Sequence, residues 1–367
     1  MPTPPAKEQP EPTFVYVGSY TADPPGGGQN NPVGFAAFRL DETEGQLTKI
    51  QEVASHNPSW LAVHPTRRFL LVLNEQKEYA GQASGAIASY AIDPNTGEVA
   101  FLNRRATHGA DPAHCAISPE GDYVLIANYN GANLTALPIA ANGFLGKVCA
   151  EQAFIGHGSD PVRQEASHPH GVTFAADGNF CLVTDLGLDR IYSFKKPWAR
   201  LALHDVFQAE PGVGPRHLVF HPTQDLLYVI NELAATISVI AYERATGRFG
   251  ELQQSVATEA PPYVGEHLSA AIALHPSGKF LYASNRGQNS VACFALRADG
   301  WLEARGHVLE GLDFPRHLIA SPCGQWLYVA NQKSSRIVRY RVDPQSGALS
   351  EPKLAARFIT PVALVFG

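Results

Sequence analysis

Arginine, histidine and glutamate recur in this chain where the two strands of a β-hairpin would begin and end. The stretch GPRHLVFHPTQDLLYVINEL, residues 214–233, opens on Arg216 and closes on Glu232. A guanidinium grips carboxylate or phosphate with two parallel hydrogen bonds and keeps its charge. Histidine with glutamate supplies proton transfer near neutral pH. Together they suit acid–base work on an anionic, oxygen-rich small molecule. A lactone carrying phosphate or carboxylate fits that description, although the charges alone do not select it.

The hairpin that carries Arg216 and Glu232 is one of a series. Aligned on Pro222, the same frame returns in NPSWLAVHPTRRFLLVLNE, DPAHCAISPEGDYVLIANY, HPHGVTFAADGNFCLVTDL, LSAAIALHPSGKFLYASNR and FPRHLIASPCGQWLYVANQ. Nine residues after the proline slot stand Asn74, Asn128, Asp185, Asn231, Asn285 and Asn331. A seventh unit is split, with FVYVGSYT near the start and ITPVALVF at the end. A step of roughly 50 residues with strands throughout indicates a β-propeller. Third strands such as TISVIAYE and turns such as DPNTG, ERATG and DPQSG complete four antiparallel strands per unit. The expected fold is all-β: a seven-bladed propeller over residues 13–367, closed by N- and C-terminal strands in one blade. KKPWAR, from Lys195, replaces the turn motif of its blade, and PPGGGQNNP, from Pro24, is expected to overhang the channel.

Two columns then fall on one rim. The first, six residues before the proline slot, reads Ser59, Ala113, His170, Arg216, Ala270 and Arg316, with Val362 in the split blade. The second, after the asparagine slot, reads Glu75, Tyr129, Leu186, Glu232, Arg286 and Gln332, with Ser19. A repeated frame needs the same residue at a slot for the same packing reason. These slots vary and collect charge, so a site is placed at one mouth of the channel. It comprises His170, Arg216, Glu232 and Arg286, with Arg316, Glu75 and Tyr129. His168, two residues before His170, is within reach of the same mouth. His64, His221 and His275 recur with the frame and are read as structural. Alternation along a strand would turn His114, His217 and His317 away from the site.

Composition narrows the function classes. A formal net charge of −6 speaks against a nucleic-acid surface. Five scattered cysteines without a CxxC pair make a poor disulfide framework and a poor zinc site, and a reducing, cytoplasmic setting is expected. No H-x-E-x-H motif, G-x-S-x-G elbow or Walker lysine is present. No cofactor or metal is therefore expected, although Glu75, Glu232 and nearby asparagines offer oxygens. Nothing approaches about 20 apolar residues in a row, so no membrane partner is expected. The proline-rich start, residues 1–12, is expected to be a disordered tail, and the chain a monomer or weak homodimer.

The residues resemble the seven-bladed lactonase family, which includes propeller-type 6-phosphogluconolactonase and 3-carboxy-cis,cis-muconate lactonizing enzyme. The resemblance runs from Phe14 to Phe366 on FVYVGSYT, HPHG (168–171), GPRHLVFHP, YVINEL, FLYASNRG and FPRHL. It implies lactone opening or closing without a metal. It also implies catalytic roles for His170 (or His168), Arg216, Glu232 and Arg286. Hydrolysis of 6-phosphogluconolactone would use water activated by Glu232 or His170, with Arg216 and Arg286 on phosphate or oxyanion. The alternatives are a carboxymuconate cyclase, a metal-dependent propeller lactonase and a non-catalytic binding propeller. The WD dipeptide of interaction propellers is absent.

Overall fold

The computed structural model describes residues 13–367; the expected tail lies outside the described residues. Seven four-stranded antiparallel sheets form a closed ring, and the described residues contain no helix. The innermost strands are Pro58–Val63, Pro112–Ile117, Pro169–Phe174, Pro215–Phe220, Ser269–Leu274, Pro315–Ala320 and Pro361–Phe366. Pro361–Phe366 pairs with Phe14–Ser19, so the two ends of the chain share one blade. That pairing removes the open edges a linear array would leave.

Each second strand is walled in by the neighbouring blades. Phe69–Asn74 and Phe280–Asn285 are buried along their whole length. Fourth strands such as Arg248–Ala257 are mostly exposed. The apolar clusters lie between adjacent sheets: Val15, Val17 and Phe38 of the split blade pack on Trp326 and Tyr328 of the blade before it. Burying such side chains contributes about 1.5–3 kcal/mol each.

The turn motifs help join the blades. In DPNTG the Asp93 carboxylate accepts the N–H groups of Asn95 and Thr96, which fixes the turn. The Tyr16 hydroxyl donates to the Gly97 carbonyl 3.1 Å away in the next blade. Tyr282 does the same to Gly347 at 2.8 Å. KKPWAR closes its blade differently: the Trp198 indole is buried edge-on to Phe174, with ring centroids 5.0 Å apart.

Candidate active site

The inner strands enter the channel through an unusual backbone sequence. Asn57, Asp111, Phe314 and Thr360 each have positive φ, and each precedes the proline that starts an inner strand. A residue before proline ordinarily avoids helical regions, so these entries are held by the surrounding fold. The next residue is bulged out of the ladder. Pairing passes from Pro215 to His217, skipping Arg216, and from Pro169 to Gly171, skipping His170. The same skip leaves out Ser59, Ala113, Arg316 and Val362. The first column is thus a ring of β-bulges, and a bulge re-aims its side chain.

The bulge also corrects one expectation. His114, His217 and His317 do not point away, because two successive residues now face the channel. With Trp60 they form a floor beneath the site: Trp60 lies 3.9 Å from His114, 5.4 Å from His217 and 5.2 Å from His317, between ring centroids. They also stitch inner strands together. His114 Nδ1 accepts the Val172 N–H, His317 Nδ1 the Leu364 N–H, and the Trp60 indole donates to the Cys115 carbonyl. Burial and the positive charge of Arg216 push both His114 and His317 down to about 3, so these rings are neutral. HPHG needs its glycine for space: a Cβ on Gly171 would lie 2.6 Å from the Arg216 carbonyl oxygen.

Above this floor opens a cavity of about 780 Å³, within the range of small-molecule sites. Glu75, Tyr129, His170, Glu232, Arg286 and Arg316 all line it. Two of the sequence-predicted residues do not. His168 stands one layer back, stacked on the Tyr129 ring at 4.2 Å and hydrogen-bonded through Nδ1 to the Tyr129 carbonyl. Arg216 lies beneath, lining a second chamber of about 20 Å³ with Ser59, Glu75, His170 and the Trp60 floor. The PPGGGQNNP loop reaches the mouth as expected: Pro25 and Gly26 line the cavity. Gln332 holds the loop there by donating to the Pro25 and Gly27 carbonyls at 2.7 and 2.6 Å.

Glu232 is the electrostatic centre. One carboxylate oxygen accepts from Arg216 Nε at 2.8 Å and Arg286 Nη2 at 2.6 Å. The other accepts from Arg163. Burial alone would raise this carboxyl, but Arg286, Arg216 and Arg163 hold it well below its ordinary value. A carboxylate with both oxygens engaged by guanidiniums is poorly placed to take a proton from water. The expectation that Glu232 activates water is at odds with these surroundings, whereas an anchoring role fits them. Arg216 also donates to the Ala270 carbonyl at 2.6 Å. Burial and Arg286 push its pKa down to about 9, so it stays cationic at neutral pH.

His170 is 7% exposed, and burial together with Arg216 keeps it well below its ordinary pKa. It is therefore a neutral imidazole on the cavity wall. At the other end, Glu75 accepts from the Tyr20 hydroxyl at 2.8 Å, and Arg316 donates to that same hydroxyl at 2.8 Å. Sequence reasoning missed Arg163 and Tyr20. Arg163 comes from the connection between Ala150–Ala153 and Pro169–Phe174, the longest of the links from a fourth strand to the next inner strand. Tyr20 directly follows the split-blade column residue Ser19. Among the described residues no three His, Cys, Asp or Glu side chains gather as a metal-binding group, and no helix is long and apolar enough to cross a membrane.

A closed seven-bladed ring with a basic, histidine-bearing mouth has known relatives. Residues 14–366 match the family described as "Lactonase, 7-bladed beta-propeller". The chain is 32% identical over 346 residues to the 6-phosphogluconolactonase of Formosa agariphila, covering 92% of this chain and 94% of that one. It is 29% identical over 337 residues to that of Bacillus subtilis, covering 91% and 93%. The periplasmic gluconolactonase of Pseudomonas aeruginosa shares the fold at a TM-score of 0.87 with 28% identity, covering 97% and 99%. The chain belongs to the seven-bladed β-propeller lactonase family.

Proposed function

We propose that this protein hydrolyses an anionic sugar lactone, 6-phosphogluconolactone to 6-phosphogluconate, without a metal or other cofactor, in the cytoplasm. The observation that carries the reading is the charge of the cavity and its base. Arg163, Arg216, Arg286 and Arg316 gather around Glu75 and Glu232, while Lys77 and Lys333 stand against Asp23, Asp111 and Glu266 elsewhere on the lining. That cluster of guanidiniums suits a phosphate, and low-dielectric walls focus its field on the substrate. The names of the Formosa and Bacillus relatives support the same substrate.

In this mechanism neutral His170 takes a proton from water as the water oxygen attacks the lactone carbonyl. Arg163 and Arg286, the two Glu232-bound guanidiniums that reach the cavity, bind the phosphate or the oxyanion that develops. Glu232 holds the three arginines in place from below, and Arg216 closes that network. His168 and Tyr129 fix the wall beside His170. Only the lactone and water are consumed, so the site needs no partner beyond its small anionic substrate. A monomer or weak homodimer suffices.

The test is hydrolysis of freshly generated 6-phosphoglucono-δ-lactone, coupled to 6-phosphogluconate dehydrogenase and corrected for the spontaneous rate. Wild type should exceed the background strongly and keep its rate after chelation. Glu232→Gln and Arg286→Ala should each lose roughly 100-fold or more, the scale of a lost charge-stabilising donor. A wild-type rate equal to background rejects this substrate, and a rate lost on chelation rejects metal independence.

A further inference from the structure

We propose that Glu75 is a further catalytic residue: it protonates the lactone ring oxygen as the ring opens, and a water molecule in the small chamber ties it to His170. This inference rests on the lactone-hydrolysis reading above.

The geometry sets Glu75 apart from Glu232. Glu232 touches three guanidiniums. Glu75 has no arginine or lysine nitrogen within 4.0 Å among the described residues. It accepts from the Tyr20 hydroxyl, the Ser59 hydroxyl lies beside it, and Arg316 reaches the Tyr20 hydroxyl rather than the carboxylate. The groups around it are Tyr20 from the first blade, Asp111 from the third, His170 from the fourth, Arg216 and His217 from the fifth, and Arg316 and His317 from the seventh. Burial raises the Glu75 carboxyl, Arg316 opposes this, and the net direction is upward. Two carboxyls whose environments drive them apart are a pattern of paired electrostatic and acid–base roles.

The chamber supplies the link. Glu75 and His170 line both the main cavity and the chamber beneath it. At about 20 Å³ it has room for roughly one water. His170 Nδ1, on its lining, is a buried polar atom without a hydrogen-bond partner among the described residues, and Ser59 Oγ, close to Glu75, lacks one of hydrogen-bond geometry. Ser59 is 6% exposed and His170 is 7% exposed. A buried water ordinarily satisfies such groups with about three hydrogen bonds. Here it accepts from His170 Nδ1–H, which leaves Nε2 as the basic nitrogen.

The step balances. The attacking water forms its oxygen–carbon bond at the carbonyl and passes one proton to His170. The tetrahedral intermediate collapses, the carbon–ring-oxygen bond breaks, and its electron pair stays on the ring oxygen. Glu75 gives that oxygen a proton, so the leaving group departs as an alcohol. Glu75 and His170 then return to their starting protonation states by exchange with solvent as product leaves.

The experiment is a pH–rate profile with 6-phosphoglucono-δ-lactone, background-subtracted, for wild type, Glu75→Gln, Glu75→Asp and Ser59→Ala. Calorimetric binding of 6-phosphogluconate is measured beside it. Wild type should lose kcat on the alkaline side as Glu75 deprotonates. Glu75→Gln should lower kcat roughly 100-fold, abolish that alkaline fall and leave product binding within about two-fold. Glu75→Asp should restore part of the rate and the alkaline fall with it. Ser59→Ala should cost a few-fold in kcat without changing the profile's shape. If Glu75→Gln keeps the wild-type kcat and alkaline fall, or if product binding is lost with the rate, Glu75 is not the acid. A wild type with no rate above background overturns the lactonase reading, and this inference with it.

Discussion

Glu75 and Glu232 occupy the same slot of the repeat, one residue beyond the repeated strand-end asparagine, yet they face opposite surroundings. Glu232 is 2% exposed and gathers Arg163, Arg216 and Arg286. Glu75 meets a phenol hydroxyl, with Arg316 one group further away. The first is held as an anion and the second is pushed toward its neutral form. The lesson is that the propeller frame decides where a side chain sits, while residues outside the frame decide what it can do. Arg163 arrives on an insertion and Tyr20 on the split blade, and neither belongs to the repeated columns.

That contrast can be broken most directly by removing the anchor. Glu232→Ala leaves three guanidiniums facing one another and should cost about 3–5 kcal/mol of unfolding free energy. Glu75→Gln should stay within about 0.5 kcal/mol at pH 7, the range of a change that breaks no buried pair. Denaturant unfolding of both variants would check this. Equal losses would mean that the two ends of the cavity are alike after all.

The pH dependence of stability sharpens the picture. Glu232 has a folded pKa below its unfolded value, so its contribution is present above about pH 4.5 and lost on acidification. Glu75 has a raised folded pKa, so its contribution is present at low pH and lost as pH rises. His114, His170, His217 and His317 are held neutral in the fold, with lowered pKa values. They must take up protons on unfolding, so their contribution should begin to fall below about pH 6.5, ahead of the loss at Glu232. Unfolding curves between pH 8 and 5 would show this. A flat profile across that range would mean that the histidine floor is already protonated or solvated.

A smaller effect belongs to Arg163, whose side chain is 31% exposed. Arg163→Ala leaves Glu232 with two partners, so it should raise KM roughly ten-fold and change kcat less. A change in kcat alone would move Arg163 from substrate binding to transition-state stabilisation.

Much of this was legible in the sequence. The register of Asn74 through Asn331 marked six blades, and FVYVGSYT with ITPVALVF marked the seventh. The two columns located the mouth, and six of the eight residues singled out there line one cavity. What stayed hidden had physical causes. A bulge at Arg216 breaks the period-two alternation, so His217 faces the channel rather than the sheet. Arg163 sits in the longest and least regular link between blades, outside the repeated frame, so the repeat did not flag it. His168 is sequence-adjacent to the site yet is screened by the Tyr129 ring. The role of Glu232 depends on how many cations converge on it, which chain order does not record.

The central claim is that the arginine cluster selects an anionic lactone. The most direct measurement is kcat/KM of the wild type for 6-phosphoglucono-δ-lactone against glucono-δ-lactone under identical conditions. The account requires a preference for the phosphorylated lactone of roughly 100-fold, about 2.7 kcal/mol, that narrows in Arg163→Ala. Equal efficiency on the two lactones, or a preference for the neutral one, would contradict it.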